Sequence, residues 1–289
     1  MLDIAEAGKH VKDAYEFHIP YFLWTWLPDS LKGDHPHPGS IPLPKIDFWG
    51  LEFQITKFMV LEVVAGLLMI LIFVPLAWRM SRGSTPRGKF WNLFEAILLF
   101  LRDKVARPAI GHKYADRFLP FIWTVFFFVL FCNLLGLFPW AGSPTGSLAV
   151  TAALSGVTLA TVIGTGMAIH GPVNYWIGLV PHLDLPFLLG LMLKPMLFAI
   201  EVVGLLIKHV VLAVRLLANM FAGHLVLAVI TGFIAATAQL SIPLWLTVTI
   251  SSVLGATAIN LLELFVAFLQ AYIFAFLSSI FIGMAVHLH

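Results

Sequence analysis

Charged residues are scarce in this sequence. Asp, Glu, Lys and Arg make up 11% of 289 residues, against about 25% in an average soluble domain. Together with 60% hydrophobic residues and a mean hydropathy of +0.94, that scarcity excludes a soluble fold and indicates an integral membrane protein. The net charge of +2 is too small to attract nucleic acid. The single cysteine, Cys132, excludes an internal disulfide and any metal cage built from cysteines, and reads as a small buried apolar residue. A Gly-rich phosphate loop of the Walker type is missing, so no nucleotide site is expected. A His-Glu-x-x-His pair is missing too, which argues against an intramembrane metalloprotease. His35 and His37 lie two apart in a Pro-rich stretch and read as a solvated loop rather than a metal site. No metal or cofactor is expected. The first sixteen residues have no apolar core behind a basic start, so no cleavable signal peptide is expected and the first span directs insertion. No internal repeat of the kind found in transporters with inverted halves is visible.

What remains is an all-α, polytopic pattern. Residues 1–47 form a non-spanning arm, in which the aromatic-rich stretch 11–27 suits an amphipathic interfacial helix and 34–44 a loop. The membrane domain, 48–289, holds about five membrane-embedded helices, near 58–78, 119–140, 148–170, 187–239 and 243–287. A bilayer core needs about 20 apolar residues. Nine of the 17 Lys and Arg residues fall between 79 and 117, and the positive-inside rule places that connection in the cytoplasm. The N-terminus is then outside and, after five crossings, the C-terminus is cytoplasmic. Residues 90–101 are apolar but too short to span and should lie along the membrane surface. The third span is rich in Gly, Ala, Ser and Thr, which lets helices approach closely in lipid. Residues 171–186 form a turn-rich connection.

The last two apolar runs are too long for one perpendicular crossing. Forty helical residues rise about 60 Å, twice the hydrocarbon thickness. Each run hides either two short spans or one long tilted helix. The lack of turn signals favours two long, strongly tilted helices joined as a hairpin at 239–243.

Arg215 stands inside this greasy stretch. A guanidinium keeps its charge wherever it is placed, and at the bilayer centre it costs about 2.5–3.5 kcal/mol even on mild scales. Steps of seven return nearly to one helix face, so Glu201, Lys208 and Arg215 form a stripe, joined by Asn219 four residues on. Asn260, Glu263 and Gln270 form a second stripe on the last helix. In a hairpin, Arg215 and Gln270 lie at comparable distances from the bend, as do His224 and Glu263. Imidazole titrates near pH 6.5, and carboxylates respond to their surroundings, so His224 and Glu263 suit a proton relay. Blander roles compete with these: helix-to-helix hydrogen bonding for Asn219, Asn260 and Gln270, snorkelling for Lys208, and an ion pair with Lys208 for Glu201.

The run Arg215-Leu-Leu-Ala-Asn219-Met-Phe-Ala-Gly223-His224 resembles the signature of subunit a of F-type ATP synthases. Glu263-Leu-Phe-Val-Ala-Phe-Leu-Gln270-Ala-Tyr272 is similar to that family's last-helix motif, and Asn133-Leu-Leu-Gly136-Leu137-Phe-Pro139 to a third. The resemblance covers roughly residue 79 to the C-terminus. It implies a non-catalytic stator subunit of a bacterial plasma-membrane complex, beside a rotor ring of subunit c and the peripheral-stalk subunit b, with two proton half-channels. In that setting Arg215 would face the ring carboxylate and block leakage. Asn219 and Gln270 would lie near it, His224 and Glu263 would line the outer half-channel, and Glu201 and Lys208 would stand by the cytoplasmic one. The order His then Glu follows the mitochondrial type. The long N-terminal arm departs from shorter members, and H⁺ versus Na⁺ is left open. The competing readings are a stand-alone secondary transporter using Arg215 for anion or proton coupling, and a purely structural membrane subunit.

Overall fold

The computed structural model describes residues 16–18, 40–43, 45–48, 51–82, 88–138, 142–180, 187–238 and 241–287. The arm contributes two short antiparallel ladders. β1 (Glu16–His18) pairs with β2 (Ser40–Pro42), and β3 (Lys45–Phe48) pairs with β4 (Leu51–Gln54). The helix expected over 11–27 is therefore interrupted by extended backbone at 16–18, and the loop expected over 34–44 contains β2. Pro36, Pro38, Pro42 and Pro44 forbid helix there but suit a strand at a sheet edge. The rest of 11–27, with His35 and His37, lies outside the described residues.

From residue 57 onward the described residues fold as helices, and the all-α reading holds for the membrane domain. They are α1 (Lys57–Ser81), α2 (Lys89–Phe100), α3 (Arg107–Ile110), α4 (His112–Gly136), α5 (Leu148–His170), α6 (Pro172–Gly178), α7 (Phe187–Thr237) and α8 (Ile242–Val286). Five of these, α1, α4, α5, α7 and α8, are long and apolar enough to cross a membrane. The expected spans match them closely, although α4 starts seven residues before the expected 119. The basic and polar turn from His112 to Phe118 continues the helix instead of preceding it. The connection expected over 171–186 contains the short helix α6. Gly171, at φ 88°, turns the chain, and Pro172 at the first helical position presets the next helix.

The long runs resolve as single helices. α7 has 51 residues and α8 has 45, so α7 rises about 76 Å, more than twice a bilayer core. Pro195 lies within α7 without ending it. Such prolines are tolerated in membrane helices because neighbouring groups take up the freed carbonyl.

The chain forms two compact units. One comprises 1–74, 128–147 and 216–269 and holds the stretches of α7 and α8 nearest their shared turn. In it the end of α4 lies close to the following loop: a Cβ on Gly136 would overlap Ser143 and come within 3.0 Å of Met220 Cε. Asn133, fully buried, accepts from Thr145 Oγ1 at 2.7 Å and reaches Ala267 O of α8 at 3.5 Å. Cys132 beside it is buried, as expected. Pro139 lies outside the described residues.

The other unit comprises 75–127, 148–215 and 270–289. The surface helix expected over 90–101 is α2, but the helical path does not stop there. It widens into a π-helical turn at residues 101–106 and continues as α3. Phe94 of α2 packs on Phe127 of α4, and Trp123 Nε1 donates to Leu98 O at 3.2 Å. α5 turns inward a face made of Thr151, Ser155, Thr158, Val162, Thr165 and Gly166. Gly166 is there because the Tyr175 ring occupies the space a Cβ would need. The end of α8 is held by His287 Nε2 donating to Ile110 O (3.0 Å) and by His170 Nε2 donating to Val286 O (3.1 Å).

Candidate functional site: polar residues of the long helices

α7 buries His209, Leu212, Ala213, Leu216 and Met220, spaced by threes and fours. That spacing fixes one inward stripe, and the opposite stripe faces outward. Glu201, Arg215 and Asn219 are on the exposed side, and Lys208 is half-buried. Around Arg215 the exposed neighbours are mainly apolar, Val211, Val214 and Phe221, with Asn219 one turn on. The guanidinium therefore sits on a broad apolar face, and it makes no ion pair or hydrogen bond with any described residue. The ion pair weighed for Glu201 and Lys208 does not form. Nor does Arg215 bond to Gln270, which is buried on α8 while Arg215 is exposed.

α8 has the same two-sided character. Glu263, Ala267, Gln270, Ala271 and Phe274 are buried, and Leu261, Leu262, Leu264, Phe265, Phe268 and Leu269 are exposed. Gln270 shares the buried stripe with Glu263, as the seven-residue spacing requires, whereas Asn260 is exposed.

Glu263 of α8 packs against α7 at Gly223, the residue that precedes His224. The Glu263 carboxylate rests against Gly223, where any Cβ would overlap Oε1. Both carboxylate oxygens and His224 Nε2 are shielded from solvent and have no hydrogen-bond partner among the described residues. The two side chains are therefore not hydrogen-bonded to each other. A buried carboxyl group and a buried imidazole, each with a free lone pair, are groups able to take part in proton transfer. Gly223 makes the approach of Glu263 to α7 possible, and its place in the motif beginning at Arg215 is the sequence signal for it.

Two buried ionisable side chains, Lys57 and His209, were not foreseen. Lys57, in the first turn of α1, is 1% exposed and stands near enough to His224 for the two to interact electrostatically. His209 is buried with its Nδ1 donating to Leu205 O at 2.9 Å, and its ring lies 4.9 Å from that of Phe281. Its backbone carbonyl accepts a hydrogen bond from Ser155 Oγ. It is six residues before Arg215, about 240° round the helix, so it belongs to the inward face.

Among the described residues no group of three His, Cys, Asp or Glu side chains could hold a metal ion.

Comparisons with known proteins identify the family to which the chain is related. The family model of the ATP synthase A chain matches residues 59–283. ATP synthase subunit a of Myxococcus xanthus is 36% identical over 96% of this chain and 86% of its own length. That of Chloroherpeton thalassium is 36% identical over 97% of this chain and 76% of its own. ATP synthase subunit a 2 of Chlorobaculum tepidum is 37% identical, covering 86% and 67%. With both long helices and their polar stripes inside the matched region, this multi-pass membrane chain belongs to the ATP synthase subunit a family.

Proposed function

We propose that this chain is the proton-translocating stator subunit of a bacterial F-type ATP synthase, and that Arg215 works against an acidic group of a neighbouring rotor. The observation that carries the reading is the unpartnered Arg215 guanidinium on an exposed apolar face of α7. A permanent cation in such a place calls for a carboxylate from outside the chain. A ring of small subunits c, each with one carboxylate, supplies it one copy at a time. The attraction favours the ionised carboxylate while it faces Arg215, and the fixed positive charge repels a proton that would cross directly. Asn219, also exposed on α7, flanks this contact, while Gln270 lies on the buried side of α8.

His224 and Glu263 lie toward the connecting turn, which the positive-inside rule puts on the outer side, and they serve the outer half-channel. Glu201 and Lys208 lie toward the basic connection and serve the cytoplasmic half-channel. Subunit b is the expected partner on the stator side. ATP chemistry belongs to other subunits, and the N-terminus is outside and the C-terminus cytoplasmic. H⁺ is the expected ion, and Na⁺ is decided by the ring carboxylate site.

Copurification in mild detergent tests the assignment. A complex containing a small, Gly-rich, two-helix proteolipid is expected. The Arg215→Ala variant should assemble and lose ATP-driven proton pumping in inverted vesicles, and normal pumping by it would refute the role. Substrate uptake by the purified chain alone would favour the stand-alone transporter instead.

A further inference from the structure

We propose that the cleft between α4 and α5, at the end nearest the basic connection, binds one anionic phospholipid, with the phosphate on Arg117 and an acyl chain along α5. The cleft has a volume of about 260 Å³ and is lined by Arg117 and Phe118 of α4 and by Thr161, Gly164, Thr165, Ala168 and Ile169 of α5. Both helices are apolar enough to span a membrane. From Ile169 to Thr161 the wall runs about 12 Å along the helix axis. It is mainly apolar, since the Thr161 hydroxyl is used by Val157 O at 2.8 Å and Thr165 is buried. Gly164 leaves it open: a Cβ there would meet nothing within 4 Å.

The one charge in the wall stands at its rim. Arg117 is exposed and has no hydrogen bond or ion pair with any described residue. The adjacent Asp116 does not neutralise it, because Asp116 is engaged by Arg107 at 3.3 Å. Lys113, four residues earlier on the same face, adds positive potential. A guanidinium matches a phosphate with two parallel hydrogen bonds. A free phosphate would satisfy the rim and leave the apolar wall bare, and a zwitterionic lipid would fill the wall without net charge for Arg117. An anionic lipid satisfies both, and basic groups at a membrane surface select for it.

The test uses the assembled complex reconstituted with phosphatidylglycerol or phosphatidylcholine probes that carry the same photoreactive acyl chain. Labelling of the peptide containing 161–169 should favour the phosphatidylglycerol probe by about fivefold. Arg117→Gln, a surface change, should remove the preference, and Gly164→Leu should remove the labelling by filling the groove. Inorganic phosphate should not compete. Equal labelling by both probes, full competition by phosphate alone, or labelling unchanged in both variants would overturn the proposal. So would transfer of an Ala168→Cys cross-link to another subunit instead of lipid.

Discussion

Glu263 and Gly223 are in such close contact that the carboxylate of one occupies the space where any other residue would carry its Cβ. The contact joins the last-helix motif to the motif that begins at Arg215. It also sets Glu263 against the residue that precedes His224 along α7.

Gly223→Ala therefore sets two effects against each other. Alanine is favoured over glycine in a helix by about 1 kcal/mol, while overpacking typically costs about 1–3 kcal/mol. The overlap falls on the Glu263 carboxylate, so under the proposed proton route the loss should appear in transport before it appears in assembly. ATP-driven acidification of inverted vesicles should fall by about tenfold, the equivalent of about 1.4 kcal/mol, with normal amounts of complex by immunoblot. Full pumping in a fully assembled variant would dissociate this contact from the proton route.

Glu263→Gln keeps the shape and fills the same space but cannot release a proton. Proton uptake should slow while assembly is undisturbed. Loss of assembly with normal residual transport per complex would show that Glu263 is a packing residue.

Arg215→Lys retains a positive charge but not the chemistry. An ammonium can give up its proton in an apolar setting and lacks the planar fork that meets a carboxylate with two bonds. Coupled pumping should stay lost in this variant, measured as acidification per ATP hydrolysed. Recovery to wild-type coupling would mean that charge alone suffices.

Near α2 the polar contacts are solvent-facing and respond to pH. Arg102 donates to Asp103 at 2.9 Å, and Arg107 bridges Asp103 and Asp116. The hydrogen bond from Arg102 holds the Asp103 carboxyl below its ordinary value of 3.8, and the charges of Arg102 and Arg107 add to it, against partial desolvation. A lowered carboxyl pKa supplies stabilisation that is complete above 3.8 and is lost as pH falls through the lower folded value. Amide exchange over residues 101–110 should therefore be unchanged by this group from pH 5 to 8. Asp103→Asn at pH 7 should exchange faster and resemble the wild type only in strong acid. A wild-type transition near neutral pH would contradict the assignment.

Hydropathy and length alone made the five spans legible, because lipid demands apolar runs of fixed length and leaves the backbone few alternatives to helix. The seven-residue spacing placed Glu263 and Gln270 on one stripe correctly. It could not tell which stripe faces inward, since both faces of α7 and α8 are apolar, and Arg215 and Gln270 ended on differently exposed surfaces. Lys57 and His209 escaped notice for a related reason: their burial depends on what packs against them from distant parts of the chain. The arm misled because its aromatic residues suit a strand as readily as an interfacial helix, and its prolines, read only as loop markers, also suit strand edges.

The bare cation on α7 also bears on biogenesis. Among the described residues nothing neutralises Arg215, and at the bilayer centre such a charge carries a penalty of about 2.5–3.5 kcal/mol. Under the proposed function, docking an acidic neighbour would relieve it, and the orphan subunit would be a higher-energy species than the incorporated one. Incorporation would then have an electrostatic drive of its own.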